Sequence, residues 1–466
     1  MPTPPFMGMR ASIVLLLVSV GCNPVQAPYA HGSAGGGGST SGGGGSSGGG
    51  GSAGGTSSGG GGGSAGNTFG AMCNGSATTI SGVVKAPNGI DPIANALVYV
   101  PSATGAFPPG VSCDLCISPV DSIAVHTLTN ADGTFTLDVS TVPQASQLPF
   151  TISKGRFRRA TTLTVTPCQD TTAGAPNTVL PGKTAPGDDI PKIAVATGSK
   201  DALDVVLTAM GLDSTLGYDC YENQATPVST PTSSCEKRLA AQGTSAQQLS
   251  ALLENATQLA QYNMLFISCA VGRFAALSAA DQATIVANLQ AWVAKGGRLF
   301  AVDRAYDYVA QSFPNDVGFV GGATVDAANV GVGSASSPAT YAGRVNDTTL
   351  AQWLTAVGAL TNGQTTISLS GYLTQWSVVQ TLPMTSADEV DATNAQVDIS
   401  NTTTTGTYPQ TVKFDVPADS KSACGRVVFS SYHTLGATTS TTLTPQEQIL
   451  EYLMLEAGAC LGAPIT

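Results

Sequence analysis

The chain has 466 residues, of which only 11% are charged, and its formal net charge at pH 7 is −11. A protein of this acidity repels the phosphates of nucleic acid and the headgroups of anionic lipid, so we expect neither as a partner. The length exceeds that of one ordinary domain, which favours a multidomain chain.

Residues 1–22 have the pattern of a bacterial lipoprotein signal peptide. Arg10 supplies a positive charge, and an apolar run from Ile13 to Val20 ends just before a small residue and Cys22. The run is too short to span a bilayer, so it predicts a cleaved signal rather than a membrane helix. We expect Cys22 to carry the lipid. Because Ser19 stands where an aliphatic residue is usual, an ordinary cleaved signal peptide is the alternative.

Residues 23–72 predict a disordered tether. From Ser33 to Gly66 the chain is almost entirely Gly, Ser, Ala and Thr, which cannot bury enough apolar surface to offset the entropy of ordering. The signal and the tether together predict a protein of the cell envelope, in the outer membrane or at the cell surface. Its lipid anchor would then be its contact with the membrane.

Ten cysteines are present, and the nine that remain after Cys22 would lie in an oxidising compartment, where an odd number leaves at least one thiol free. We expect two disulfides, with the pairing open, among the four cysteines of the first folded region: Cys73, Cys113, Cys116 and Cys168. Four others flank a loop or lie near the C-terminus: Cys220, Cys235, Cys424 and Cys460. Cys269 is then the candidate free thiol.

Cys113 and Cys116 also have the spacing of a redox motif or of half a zinc site. A redox motif needs a thioredoxin-like helix, which the sequence does not predict here, and His126 is the one histidine nearby. We therefore expect no metal and no cofactor.

Residues 73–185 predict a small antiparallel β-sandwich. Short alternating strands are expected at Thr79–Val84, Ala96–Val100, Ala124–Leu128, Thr134–Val139, Phe150–Ser153 and Thr161–Val165. Asn130-Ala131-Asp132-Gly133 has the chemistry of a tight hairpin turn. Together with Ile80–Val84 and Pro92–Val100, it resembles the carboxypeptidase regulatory-like domain. The resemblance implies a transthyretin-like or carbohydrate-binding-like sandwich, usually without catalytic residues of its own.

A dense basic cluster lies within this region. Arg156, Arg158 and Arg159 follow Lys154 closely in an otherwise acidic chain. They are candidate contacts for an anion or a polysaccharide. The alternatives are charges that protect an edge strand from aggregation, or arginines paired with the acidic second domain.

Residues 186–466 predict an α/β domain, because buried strands alternate with amphipathic helices at the spacing of a flavodoxin-like parallel sheet. The strands are expected at Ile193–Gly198, Met264–Cys269, Arg298–Val302 and Gly425–His433. The helices are expected at Ala202–Met210, Ala246–Gln261, Ala279–Ala294 and Thr444–Leu455. Extra strands at Thr366–Leu369, Ser377–Leu382 and Gln410–Phe414 are expected within the long connection before the last strand.

This domain resembles the class I glutamine amidotransferases, especially their trehalose-utilisation branch. The resemblance implies that Tyr262–Gly272 furnishes an oxyanion hole, that Gly297–Tyr306 carries the nucleophile elbow and that Arg426–His433 ends at a triad histidine. The elbow, however, has neither Cys nor Ser and no pair of small residues to permit its strained turn. No acidic residue stands two positions after His433 to orient its ring. The whole layout resembles myxobacterial lipoproteins.

Two interpretations of the site follow. In the first, Cys269, which ends a central strand, is a nucleophile and His433 is its base. In the second, both are ordinary buried residues. Asp303, Arg304 and Tyr306 form a second polar group expected at the same sheet edge, and Asp303 is a candidate catalytic partner of His433. We favour a non-catalytic protein that binds a glycan or an envelope protein. The alternative is a cysteine-dependent hydrolase or amidotransferase-like enzyme. A third possibility is a purely structural spacer, which would be distinguished by whether the Asp303, Tyr306 and His433 side chains converge on an open cavity.

Trp353 and Trp376 could line a sugar site. The apolar spacing around them favours core packing instead.

Overall fold

The fold is taken from a computed structural model, which describes residues 67–71, 73–116, 119–198, 200–224, 227–270, 273–320, 333–334, 340–372, 375–383, 386–399, 402–418, 422–434 and 443–461. The predicted signal peptide, Cys22 and nearly all of the predicted tether lie outside these residues. Within them, no helix has both the length and the apolar character needed to cross a membrane.

Residues 67–189, here called the β region, form two sheets and one short helix. The elements are β1 (Thr79–Val83), β2 (Leu97–Ala103), β3 (Ser122–Leu128), β4 (Thr134–Asp138), β5 (Leu148–Lys154), β6 (Phe157–Leu163), β7 (Asp170–Thr172), α1 (Ala175–Thr178) and β8 (Asp188–Asp189). The strand orders are β4-β1-β7 and β3-β2-β5-β6-β8. Both sheets contribute to one core, in which the rings of Phe135 and Phe150 lie 6.1 Å apart.

The turn between β3 and β4 has the predicted chemistry. The Gly133 amide donates to the Asn130 carbonyl at 2.9 Å, and Gly133 has a φ of +75°. A side chain there would be strained, and its Cβ would lie 2.5 Å from the Val84 carbonyl oxygen. Glycine at this position therefore allows both the turn conformation and the close approach of the Val84 backbone.

The folded chain begins before the predicted end of the tether. Phe69 is buried, and its amide donates to the Val142 carbonyl at 3.0 Å. Soon afterwards the Cys73–Cys168 disulfide closes the first loop of the β region. The Gly/Ser composition itself ends at Gly66, so the predicted tether of residues 23–72 includes a few residues that pack on the β region.

Residues 193–461, here called the α/β region, contain the remaining elements. They are β9 (Ile193–Ala196), α2 (Leu203–Ala209), β10 (Asp219–Tyr221), α3 (Ser234–Gln242), α4 (Leu249–Glu254), α5 (Ala256–Leu259), β11 (Met264–Ile267), α6 (Ala279–Ala294), β12 (Arg298–Val302), α7 (Tyr306–Ser312), β13 (Gly318–Phe319), β14 (Gly333–Ser334), β15 (Tyr341–Val345), α8 (Thr348–Ala356), β16 (Thr366–Leu369), β17 (Gln375–Trp376), β18 (Val379–Thr381), β19 (Ser386–Ile399), β20 (Thr402–Val416), β21 (Gly425–Ser430) and α9 (Pro445–Ala457).

A parallel sheet of order β10-β9-β11-β12-β21 forms the centre of this region. The predictions for α6, β12 and β16 are confirmed with their bounds. The prediction of one continuous helix before β11 is wrong, because the helix breaks at Asn255. The Asn255 side chain accepts the Gln258 amide and so starts α5 as a separate turn.

Beyond β21 the sheet continues with antiparallel strands, of which β19 and β20 are the longest. Lys413 on β20 contacts Glu389 on β19 at 2.9 Å and Asp347 at 3.9 Å. Burial raises the pKa of Glu389 to about 7, against the attraction of Lys413. The pairing of these strands therefore encloses a carboxyl group that resists ionisation.

We predict a pH dependence of stability from Glu389. Since its pKa is raised in the folded state, its full contribution is present below about pH 4.5 and is lost as the pH rises through about 7, by roughly 3 kcal/mol. Glu389→Gln should remove that slope from urea-unfolding curves recorded between pH 4 and 8, while Lys413 keeps Asp347 as a partner. An unchanged slope would contradict the assignment.

Two disulfides cross between the two regions, Cys113–Cys424 and Cys116–Cys460. The expectation of two bridges within the β region is therefore wrong, and only Cys73–Cys168 lies there. The physical reason is the path of the segment before β3, which leaves the β region. Its backbone contacts the α/β region through the Val111 amide and the Ala260 carbonyl at 2.8 Å, and through the Cys116 amide and the Leu461 carbonyl at 2.9 Å.

Further contacts support this joint. The Trp353 indole N–H donates to the Pro92 carbonyl at 2.7 Å, and the Lys154 ammonium binds Glu456. Residues 64–466 accordingly form one compact unit. The fourth disulfide, Cys220–Cys235, lies within the α/β region.

We predict that the two crossing disulfides stabilise the fold non-additively. With one intact, the other closes a loop of only about 40 residues, and its removal costs roughly 4 kcal/mol by chain entropy. When the other disulfide is already absent, each of the two closes a loop of more than 300 residues, so its removal costs more. Replacing all four cysteines by serine should therefore lower the free energy of unfolding by about 2 kcal/mol more than the sum of the two paired replacements, measured in urea. Strict additivity would contradict this.

Candidate functional site

The candidate site lies where three parallel strands end. Cys269 follows β11, Asp303 follows β12 and His433 follows β21. The carboxyl ends of parallel strands meet at one sheet edge, where α/β proteins usually hold their ligands. Because β12 lies between β11 and β21, Asp303 lies between the other two side chains.

Asp303 has a strained backbone. Its φ is +41°, in the left-handed region that non-glycine residues seldom adopt, at a cost of about 1–2 kcal/mol. A single turn of 3₁₀ helix, Asp303–Ala305, leads from it into α7. This is where the resemblance places a nucleophile elbow, and the strained turn forms although the segment lacks the small residues expected to permit it.

The three side chains are in direct contact. His433 Nε2 lies 3.0 Å from Asp303 Oδ2, and Cys269 Sγ donates to the same oxygen at 3.7 Å. The other oxygen, Asp303 Oδ1, accepts the Ser377 amide at 2.6 Å. Cys269 and Asp303 are fully buried and His433 is 3% exposed, so the cluster is enclosed in the protein.

Electrostatics keep the thiol protonated. Burial raises the pKa of Cys269 well above its ordinary value, and the negative charge of Asp303 adds to this, against a weaker opposing hydrogen bond from the Arg304 backbone. A thiol of this kind supplies little thiolate at neutral pH, and the thiolate is the nucleophilic form.

For His433, the surroundings favour the charged form of the side chain. Burial alone would lower the pKa of His433, but the hydrogen bond and the charge of Asp303 outweigh it and raise the pKa above its ordinary value. The charge of Asp201 and a hydrogen bond to the Gly371 backbone act in the same direction. The geometry therefore favours an imidazolium–carboxylate pair rather than a free base beside a nucleophile.

Two further acidic residues lie at this sheet edge and escaped the sequence interpretation. Asp201 Oδ1 accepts the Thr434 hydroxyl at 2.6 Å and the Thr434 amide at 3.0 Å, while its buried Oδ2 has no hydrogen-bond partner among the described residues. Glu222 follows β10 and accepts the Thr197 hydroxyl at 2.9 Å. Their position just after a strand was the available signal.

The other predicted residues flank the cluster or lie in the core. Arg304 and Tyr306 are buried, and the Tyr306 ring packs against Phe319 at 5.4 Å. Trp353 and Trp376 are buried as well, so the prediction of core packing is confirmed for both.

The basic cluster of the β region is engaged in ion pairs. The pairs are Arg156 with Asp114, Arg158 with Asp121 and Asp189, and Arg159 with Asp188. Arg156 and Arg158 also stack on the Phe107 ring, at 5.2 and 4.8 Å. The guanidinium groups thus already have anionic partners within the protein.

Two open cavities lie away from the Asp303 cluster. One, of about 460 Å³, lies between the β region and the end of α9; its lining includes Tyr99, Phe107, Leu115, Lys154, Arg158 and Glu456. The other, of about 300 Å³, lies at the amino edge of the parallel sheet; its lining includes Asp219, Tyr221, Arg238, Gln258 and Tyr262. Neither cavity includes Cys269, Asp303 or His433.

No protein family model matches the sequence, and no curated protein matches it. Similar solved structures include a protein assigned as part of a GMP synthase from Thermoplasma acidophilum, with 7% identity and a TM-score of 0.28 over 57% of this chain and 94% of that one. A ThuA-like protein from Bacteroides uniformis has 8% identity and a TM-score of 0.28 over 57% of this chain and 90% of that one.

A protein assigned as protease I from Bacteroides thetaiotaomicron has 12% identity and a TM-score of 0.20 over 28% of this chain and 72% of that one. At these TM-scores the similarities support no conclusion about function. The strand order and the site described above therefore stand on the structure of this chain.

We predict that Cys269 is unreactive in the folded protein. Because the thiol is buried and its pKa is raised, iodoacetamide at pH 7 should label it more than about a hundredfold more slowly than in urea. Rates are read by mass spectrometry of the Cys269 peptide. Rapid labelling that disappears in His433→Ala would instead indicate an activated pair.

Proposed function

We propose that this protein is a lipid-anchored, non-catalytic binding protein of the cell envelope, displayed on its Gly/Ser tether at the outer membrane or the cell surface. In this proposal the β region is a carbohydrate-binding-like sandwich of the carboxypeptidase regulatory-like type. The α/β region is an amidotransferase-like domain that has lost its nucleophile. The ligand is a glycan or an envelope protein.

The observation that carries the proposal is the identity of the elbow residue. An acyl-transfer enzyme needs a nucleophile on this turn with a base free to take its proton. Here Asp303 occupies the turn, and both of its oxygens are used by His433, Cys269 and Ser377. The turn is present, but the side chain on it is a carboxylate that accepts hydrogen bonds within the protein interior and is not a nucleophile.

The cavity between the two regions favours binding as the remaining activity. It is open, unlike the Asp303 cluster, and it combines aromatic and aliphatic walls with charged groups at fixed positions. Pockets that bind small organic ligands or sugars typically have this mixture. Two disulfides and the Lys154–Glu456 ion pair hold its two sides together, so a ligand would meet a preformed site.

The enzyme alternative uses Cys269 with His433. The two side chains lie in one cluster, which favours it, but Asp303 lies between them and the thiol is protonated. A hydrolase would need the cluster to open and the thiol to lose its proton. We infer that binding is the better supported function.

The experiment is a binding screen with the purified mature protein against peptidoglycan, soluble polysaccharides and purified envelope proteins. We expect one of these classes to bind. Phe107→Ala removes an aromatic wall of the cavity and should weaken that binding by about tenfold or more. The matched control is Leu216→Ala, since Leu216 is an exposed apolar side chain that does not line the cavity.

Two outcomes would contradict the proposal. One is the absence of binding to every class. The other is turnover of an ester or amide substrate that disappears in both Cys269→Ala and His433→Ala. Equal loss of binding in Phe107→Ala and in the Leu216→Ala control would indicate that the ligand does not bind in the cavity.

A further inference from the structure

The cluster at the sheet edge contains three different metal-ligating groups. A thiol, a carboxylate and an imidazole contribute one potential ligand atom each, and these atoms all lie within 4.8 Å of one another. No sequence pattern indicates this, because Cys269, Asp303 and His433 are far apart in the chain and lack the short spacings of known zinc motifs.

Two of the three distances between these atoms are close to those of a tetrahedral site. Typical zinc bond lengths place sulfur and oxygen ligands about 3.5 Å apart, and nitrogen and oxygen ligands about 3.3 Å apart. The Cys269 Sγ to Asp303 Oδ2 distance is 3.7 Å, and the His433 Nε2 to Asp303 Oδ2 distance is 3.0 Å. An ion could therefore be accommodated by shifts of a few tenths of an ångström at these two pairs.

Each ligand atom is also oriented from behind, as in established metal sites. The Gly371 backbone holds the imidazole, the Ser377 amide binds the second Asp303 oxygen, and the Arg304 amide donates to the thiol sulfur. These partners leave His433 Nε2 and Asp303 Oδ2 directed at each other. Side chains held in this way need little reorganisation to bind an ion.

The charge of the surroundings suits a dication. The Asp201 carboxylate acts on both Cys269 and His433, and one of its buried oxygens has no hydrogen-bond partner among the described residues. On binding, the ion forms bonds to Sγ, Oδ2 and Nε2, while the two protons that Sγ and Nε2 direct at Asp303 Oδ2 leave to solvent. Two positive charges thus replace two protons, and the buried cluster keeps its formal charge.

We propose that Cys269, Asp303 and His433 form a buried binding site for one divalent transition-metal ion of the zinc type. Sulfur, nitrogen and oxygen ligands together favour a borderline ion such as Zn²⁺ over Mg²⁺ or Ca²⁺. The site is enclosed, so the ion stabilises the junction of β11, β12 and β21. It does not depend on any ligand in the cavity.

The experiment uses the full-length chain with Cys22→Ser, so that Cys269 is its one cysteine outside the four disulfides. The protein is stripped with a chelator, loaded with Co²⁺ or Zn²⁺ and desalted. We expect about one equivalent of metal per chain by elemental analysis. The Co²⁺ form should show a thiolate-to-metal charge-transfer band, which reports ligation by Cys269 without any variant of the site.

Variants test the individual ligands. Cys269→Ser should abolish the charge-transfer band, and His433→Asn should reduce the metal content at least tenfold. His126→Asn is the matched control, because His126 lies on β3 of the β region, and it should retain both. Absence of bound metal from the parent protein, or a band that survives in Cys269→Ser, would overturn the proposal. If the site variants do not fold, the band and the metal content of the parent protein still decide it.

Discussion

The arrangement of the α/β region depends on a carboxylate that is removed from water. Burying the Asp303 charge costs several kcal/mol unless it is neutralised and hydrogen-bonded. Its compensation comes from three places that are distant in sequence: the ends of β11 and β21, and the backbone just after β17. One charge thus fixes the relative positions of the central parallel strands and of the long connection that crosses them. The left-handed backbone at Asp303 directs the carboxylate to that meeting point.

The buried Asp303 cluster and the open cavity have different properties. The sharp turn after β12 and the histidine after β21 meet at Asp303, and both oxygens of its carboxylate accept hydrogen bonds from within the protein. A reactive centre would leave a group partly unsatisfied and accessible to substrate. The open space lies instead between the two regions, where Lys154 and Glu456 of the lining pair with each other and Arg158 pairs with Asp121 outside the lining. The buried polar cluster and the open cavity therefore lie in different parts of the molecule.

The sequence predicted the elements with strong patterns. The amphipathic face of α6 and the apolar run of β12 specified both elements to the residue, because periodicity and burial agree there. Strands β19 and β20 were largely missed, since their many Thr, Asp and Ala residues lack an apolar alternation and pairing alone makes them strands. The disulfide partners of Cys113 and Cys116 depend on the path of a loop through space. The strain at Asp303 was equally invisible, because nothing in an Ala-Val-Asp-Arg sequence signals a positive φ.

The two crossing disulfides also limit what proteolysis can do to this protein. Cys113 and Cys116 lie early in the folded chain, whereas Cys424 and Cys460 lie near its end. A single backbone cleavage anywhere between Cys116 and Cys424 leaves both fragments covalently joined by at least two disulfide bonds. The C-terminal fragment could not diffuse away, and the native contacts around the cut would be held at high effective concentration. Loss of the α/β region from the N-terminal part would require reduction as well as proteolysis.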